Sequence, residues 1–419
     1  MAKKIILFSL LVAVVILVAG IIFFELDPEN TNINYEPANT QNETDKTIRF
    51  DENGKLKILH IADTHLNYDK HFDASVWVIA EACDVEKPDL VVLTGDNTHP
   101  NEVPEKTKKL INALMNIFES RKIPVAVTFG NHDSEGGPMT REEIMEYYQT
   151  FSCVISTDNS ENFKNCATFN VPVLASDSDK VNFNLWVFDS GDYDEDEPRH
   201  YDRVRTEQIE WYKETAAKLK KENGGETVNS VVFQHIIVPE IYDVLKKSNS
   251  KQPYAIKHIY NEEEFYMFDA EQVNYGTLNE KPCPGYYNDG QFDALVETGD
   301  VLAMFTGHDH TNAFGVRNQN IDIYTSPMTR YKGLAYTTQY GYRVVEIDEK
   351  DTSTYETRVE RLYDVFDFSY IKTAKDNGDK YSTRIAFELA VKGTVQESFM
   401  KLYKSVVELI TGRQVTYPD

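Results

Sequence analysis

The sequence predicts an α/β fold organised around parallel β-strands. Three observations predict it. Short apolar, β-rich runs recur between Leu56 and about Glu349. Each stops abruptly at Asp, Asn or His, and helical patterns separate them. The first two strand-to-strand steps span roughly thirty residues each, the size of a βαβ unit. Strand, helix, strand at that length implies parallel pairing and a right-handed crossover. In such sheets ligands bind at the carboxyl ends of the strands. Residues scattered from position 63 to 310 can therefore converge in one cleft.

The elements follow in order. Lys3 and Lys4 precede an uninterrupted apolar run from Ile5 to Phe24. At about 1.5 Å per residue such a run spans the roughly 30 Å core of a bilayer. It exceeds the roughly 7–15 apolar residues of a cleaved signal, and no clean A-x-A site follows it. Residues 1–26 therefore read as a signal anchor, a single transmembrane helix; secretion after cleavage near Ala19-Gly20 is the alternative. Glu25, Asp27 and Glu29 follow the run, so the positive-inside rule puts the globular domain outside the cytoplasm. Residues 27–50 are rich in Asn, Thr, Glu and Pro and read as a flexible linker. The body occupies 51–364. Residues 365–419 carry Ile385, Leu389, Phe399, Leu402, Val406 and Leu409 at helical spacing, and read as a helical extension that packs on the body.

Within the body, Leu56–Ala62 runs into Asp63-Thr64-His65, and Leu90–Leu93 into Thr94-Gly95-Asp96-Asn97. Val125–Phe129 runs into Gly130-Asn131-His132-Asp133. Val231–Phe233 ends at Gln234-His235, and Val301–Phe305 at Thr306-Gly307-His308-Asp309-His310. Ala74–Glu86, Pro104–Ser120 and Thr206–Glu222 have helical periodicity, with Thr206 placed as an N-cap.

The strand-end side chains are Asp63, His65, Asp96, Asn131, His132, His235, His308 and His310. Imidazole and carboxylate together suit Zn, Fe or Mn rather than Ca or Mg. The set is too large for one tetrahedral ion. It suits two ions with a shared carboxylate between them, an arrangement that stabilises the attacking and leaving oxygens of an in-line displacement at phosphorus. Gly95, Gly130 and Gly307 precede ligands where the backbone must turn sharply. No nucleophile elbow or phosphate-cradling loop is present.

The ordered set D-x-H, G-D-N, G-N-H-D, strand-end His and G-H-D-H resembles the calcineurin-like metallophosphoesterase superfamily, over about 250 to 300 residues. Within it the chain is similar to the purple-acid-phosphatase-like branch. The resemblance implies a layered α-β-β-α sandwich of two mixed sheets, with the site at its rim. It implies that Asp63, His65 and His310 hold a first metal, that Asn131, His235 and His308 hold a second, and that Asp96 bridges them. His132 would contact the phosphate and protonate the leaving oxygen, with Asp133 orienting it. Asn97, His99, Glu280 and Asn288 are the candidate substrate contacts. One departure stands out. Purple acid phosphatases proper have a metal-bound Tyr where this chain has His99, and they lack the counterpart of His65. The charge-transfer colour is therefore not expected.

The expected activity is hydrolysis of small phosphomonoesters through in-line attack by a metal-bound hydroxide. A phosphodiesterase or nucleotide pyrophosphatase is the alternative, and a catalytically silent scaffold is the rival from another class. His60, His71, His200 and His258 read as ordinary structural histidines. Cys83 reads as a small core residue, whereas Cys153 and Cys166 could pair in an oxidising compartment. The acidic run Asp192–Glu197 reads as a solvated loop.

Composition bounds these expectations. The chain has 419 residues, 43 basic against 68 acidic, for a net charge of −25, and 41% hydrophobic residues. That excludes wholesale disorder and a broad nucleic-acid-gripping face. With 4 Cys, a disulfide-built fold is excluded too. Two cations beside a few carboxylates would reconcile the acidic chain with an anionic substrate locally.

Overall fold

The computed structural model describes residues 30, 32–37, 44–159, 161–252, 255–269, 273–333 and 335–411. The expected anchor, 1–26, lies outside the described residues. Among the described residues no helix is long and apolar enough to cross a membrane.

Strands β1 (Lys55–Ile61), β2 (Leu90–Leu93) and β3 (Val125–Val127) alternate with helices α1 (Phe72–Glu86) and α2 (Pro104–Arg121). Helix α3 (Arg141–Tyr148) follows, then β4 (Phe169–Leu174), β5 (Val181–Phe188), α4 (Thr206–Glu222) and β6 (Ser230–Gln234). Next come β7 (Leu245–Ser248), β8 (Ile256–Lys257), β9 (Phe265–Phe268) and β10 (Val273–Thr277). Helix α5 (Gln291–Thr298) leads to β11 (Val301–Thr306), β12 (Ala313–Asn318), β13 (Ile321–Thr325), β14 (Gly341–Asp348) and β15 (Glu356–Arg361).

Two mixed sheets result, ordered β15-β14-β1-β2-β3 and β10-β12-β13-β11-β6-β5-β4, with a small third sheet β7-β9-β8. The expected parallel pairings of β1 with β2 and of β2 with β3 are present, and β6 pairs in parallel with both β5 and β11. Alternation along each strand sorts its side chains into layers. Leu56, Ile58, Leu90, Val92, Val231 and Phe233 fill the space between the sheets. Leu59, Ile61, Val91 and Leu93 point the other way, onto α1 and α2. On the far side Trp186, Val232 and Met304 pack beneath α4 and α5. This is the α-β-β-α layering.

The C-terminal part is helical, with α6 (Leu362–Val365), α7 (Phe368–Asp376) and α8 (Lys380–Thr411). Ile385 and Leu389 join the core shared with α1, and Trp77 donates its indole N–H to Ser382 Oγ at 2.9 Å. Phe399 and Leu402 stay exposed rather than packing as expected. The side chains of Val406 and Leu409 lie outside the description.

Two expectations need correction, and the open question of the cysteines is answered. The stretch 27–50 is not a free linker where it is described. Tyr35 stacks on Phe72 at 5.7 Å, and Ile48 and Phe50 are buried, exchanging backbone hydrogen bonds with Leu174. A few apolar side chains suffice to pin a polar stretch to the body. Thr206 is the first helical residue of α4 and not its cap. Its N–H and hydroxyl both donate to Asp289, at 3.1 Å. Cys153 and Cys166 are free and buried; Cys153 lies on the loop that pairs with β3.

Candidate metal centre

Each candidate ligand leaves a strand at its carboxyl end. Asp63 and His65 follow β1, Asp96 follows β2, Asn131 and His132 follow β3, His235 follows β6, and His308 and His310 follow β11. The backbone is strained there. Asp63 (φ 54°), His65 (41°), Asp96 (50°) and His308 (72°) all adopt the left-handed region with full side chains. Such residues cost about 1–3 kcal/mol each and persist only where the surroundings enforce them, which is typical of functional sites. Gly130 makes the approach possible. A Cβ on it would lie 2.6 Å from Asp96 N and 2.7 Å from His235 Nε2.

The ligand atoms fall into two groups that share Asp96. In the first, His65 Nε2 lies 2.9 Å from His310 Nε2, 3.9 Å from Asp63 Oδ1 and 3.4 Å from Asp96 Oδ2. In the second, His235 Nε2 lies 3.2 Å from Asn131 Oδ1, 3.2 Å from His308 Nδ1 and 3.3 Å from Asp96 Oδ2. Within each His/Asp group the candidate donor atoms lie within 4.8 Å of one another. Asp96 Oδ1 accepts the His132 N–H at 2.8 Å, whereas Asp96 Oδ2 is buried without a hydrogen-bond partner. A carboxylate oxygen so placed needs a positive neighbour.

The electrostatics agree. Burial holds His65 and His308 well below the usual imidazole range and His310 at about 4. Their lone pairs are free at neutral pH. Burial would raise Asp96, but His235 and His65 hold it well below the carboxylate range. Burial would depress His235, but Asp96 and Asp63 lift it to about 9. Burial, with Asp96 adding to it, pushes Asp63 up to about 7 against the pull of His235. Carboxylates and imidazoles are thus crowded beyond what they can ionise alone. The unprotonated nitrogens of His65, His308 and His310 and the carboxylates of Asp63 and Asp96 are donor types that suit transition-metal cations, and a cation bound between Asp96 and His235 would take the place of the proton that these carboxylates hold on His235.

Around the groups, His132 Nδ1 is held by Glu135 Oε2. Asp133 does not orient that ring, contrary to expectation. Its carboxylate instead accepts backbone N–H groups from Asp96 (2.7 Å), Asn97 (2.9 Å), Thr98 (3.3 Å) and Gly130 (2.7 Å). It welds the second and third ligand loops together. Glu135 was missed by the sequence reading; its signal is a carboxylate three residues after His132.

The candidate substrate contacts divide. His99 is in the site, with Nε2 2.9 Å from His65 Nδ1 and its ring 5.3 Å from that of His132. Asn97 is buried and spans the turn by donating to Thr128 O at 3.1 Å. Glu280 accepts the Thr311 N–H and so anchors the loop of the last motif. Asn288 is not brought to the cluster by its contacts. It donates to Glu240 at 2.7 Å and accepts the Gly290 N–H before α5. Two arginines grip ligand loops by their carbonyls: buried Arg330 holds His65 O at 2.6 Å and partly buried Arg141 holds Gly130 O at 2.8 Å. His60 is buried as expected, between Thr94 Oγ1 (2.8 Å) and Ser326 Oγ (2.9 Å).

The acidic run is more than a solvated loop. Tyr193 Oη accepts from Asn131 Nδ2 at 3.2 Å, which turns Asn131 Oδ1 toward His235. Tyr201, bridged to Tyr193, sets its ring edge-on to His308 at 4.3 Å.

Fold and site together define an α/β protein with two groups of potential metal ligands converging at its strand ends. The sequence profile of the calcineurin-like phosphoesterase family matches residues 56–312, and the chain belongs to that family. The relatives include an Arabidopsis thaliana protein named probable inactive purple acid phosphatase 29. It is 28% identical over 309 residues, covering 66% of this chain and 72% of the relative. The phosphatase DCR2 of Saccharomyces cerevisiae is 26% identical over 295 residues, covering 64% of this chain and 46% of the relative. A dimetal phosphatase from Danio rerio overlays 73% of this chain and 98% of its own, with a TM-score of 0.46 and 12% identity.

Proposed function

We propose that the protein is a dinuclear-metal phosphoesterase that hydrolyses small phosphomonoesters. The observation that carries this reading is the position of Asp96 Oδ2, buried and within 3.4 Å of the facing nitrogens of both ligand groups. Asp63, His65 and His310 would hold one ion, and Asn131, His235 and His308 the other, with Asp96 between. When bound, two such ions (Mn, Zn or Fe) supply charge neutralisation at phosphorus and a water acidic enough to attack near neutral pH.

The chain's own part is positioning and proton delivery. Glu135 fixes the His132 ring through Nδ1, which leaves Nε2 to carry the proton. The attacking water gives up one proton to solvent; as its oxygen bonds to phosphorus and the bond from phosphorus to the leaving oxygen breaks, His132 Nε2 gives its proton to the leaving oxygen and regains one from solvent. His99, beside His65 and His132, would donate to a phosphate oxygen. Three of the relatives' names carry the word inactive. In this chain every expected ligand position is filled and the side chains converge, which supports turnover over a silent scaffold.

The test is a metal-reconstituted panel of monoesters, diesters and pyrophosphates. Turnover of monoesters above the rest is expected. Preferential cleavage of diesters would shift the assignment to a phosphodiesterase, and no turnover at full metal loading would leave a scaffold. We also propose, from residues 5–24 alone, that the domain is held outside the cytoplasm by a single membrane anchor. Protease accessibility of the domain in intact cells tests this.

A further inference from the structure

The two sides of the cleft differ in chemistry. On the side of His99 and His132 the neighbours are Glu135, Asp69 and Arg330, all polar. On the side of Asn131 and His308 the neighbours are aromatic. Tyr201 lies edge-on to His308 at 4.3 Å, and Tyr193 stacks on Tyr201 at 5.6 Å. The rings then continue outward. Tyr286 donates its backbone N–H to Tyr201 O at 3.3 Å and stacks on His200 at 3.9 Å. Tyr260 stands edge-on to both His200 and Tyr286, at 5.0 Å from each. Tyr287 is 5.0 Å from Tyr286. Tyr286 and Tyr287 remain 45% and 41% exposed. Aromatic surface is thus left in water next to Tyr201, with His200 covering one face of Tyr286 and the Arg203 guanidinium lying 5.1 Å over Tyr287.

Resting on the phosphomonoesterase reading, we infer that this wall of tyrosines selects a substrate whose leaving group carries a planar aromatic ring, stacked on the rim at Tyr286. Two sources offer that chemistry: a nucleoside monophosphate, with the base one sugar away from phosphorus, and an aryl phosphate, with the ring on the ester oxygen.

The experiment compares kcat/KM for adenosine 5′-monophosphate with ribose 5-phosphate, which differ by the base alone. O-Phosphotyrosine against O-phosphoserine is the second pair. Wild-type protein should favour the ring-bearing member of one pair by about tenfold or more, the effect of one stacked ring. The pair that shows it identifies the source. Tyr286→Ala should abolish most of that preference and leave ribose 5-phosphate and O-phosphoserine unchanged, while Tyr286→Phe should keep it. The inference is overturned if neither pair shows a preference, if the preference survives Tyr286→Ala, or if Tyr286→Ala slows ring-free substrates equally. Absence of turnover on every monoester would remove the phosphomonoesterase reading along with it. Turnover of ribose 5-phosphate without ring preference would remove this inference alone.

Discussion

Glu135 Oε2 holds His132 Nδ1, and the neighbouring carboxylate, Asp133, turns away from that ring toward four backbone amides. Two adjacent acidic residues thus serve different ends. One fixes a proton carrier; the other fixes the loops that carry the ligands.

The His132–Glu135 pair should govern leaving groups rather than metals. His132→Ala is expected to retain two metals per chain. Its kcat should fall by roughly 10²–10⁴ on alkyl phosphates, the usual worth of a positioned general acid. The fall should be much smaller on p-nitrophenyl phosphate, whose leaving group needs no proton. Glu135→Gln should show the same leaving-group bias at lower amplitude. Metal analysis beside kinetics on both substrates checks this, and loss of metal in His132→Ala would refute the role.

Asp133→Asn should behave differently. An amide NH2 cannot accept the N–H groups that one carboxylate oxygen now receives. Loss of hydrogen bonds to a buried charged group costs about 1.5–3 kcal/mol each. A lower melting temperature is expected, with both metal affinities reduced and no leaving-group bias. Calorimetry and metal titration read both effects. A variant with wild-type stability and a selective defect on alkyl phosphates would restore Asp133 to the proton-delivery role.

Asp96 and His308 should separate the two ligand groups. Asp96→Asn removes the oxygen facing both groups, so both binding events should weaken beyond the roughly 10–100-fold typical of losing an outer support. His308→Ala should weaken the second event and leave the first within a few-fold. Isothermal titration with Mn resolves the two steps. Equal effects of His308→Ala on both would contradict the assignment of groups.

Asp289 gives a pH dependence away from the centre. Burial would raise its pKa, but Arg203 and the two donors of Thr206 hold it below the usual value. A carboxylate depressed in the folded state contributes stability above its unfolded pKa, and that contribution disappears as pH falls through the folded value. Asp289→Ala, which uncaps α4, should cost about 1 kcal/mol at pH 7. The gap to wild type should begin to narrow below about pH 4, the ordinary carboxylate value, and close only at the lower pH where the native carboxylate takes up its proton. Denaturant melts at the two pH values test it; a gap that is constant with pH would contradict it.

Much of this was legible because ligands interrupt apolar runs. Leu90–Leu93 must be buried and Asp96 must not be left bare there, so the break itself marks a site. What escaped depends on partners distant in sequence. Thr206 has the chemistry of a cap, but Asp289, far along the chain, supplies the acceptor. Tyr193 sits in a run whose charge suggests only solvent, yet its hydroxyl meets Asn131. Tyr35, Ile48 and Phe50 are too few among polar residues to announce a docked strap. The order of the second sheet, with β13 beside β11 and β10 at the edge, rests on pairings that local periodicity does not encode.

The central claim is a centre that needs two metals, one on each side of Asp96, to cleave a phosphomonoester. It is tested most directly by titrating metal-free protein with Mn and measuring monoester turnover against bound metal per chain. Turnover should stay low through the first equivalent and saturate at two. Full activity at one equivalent, or none with two bound, would contradict it.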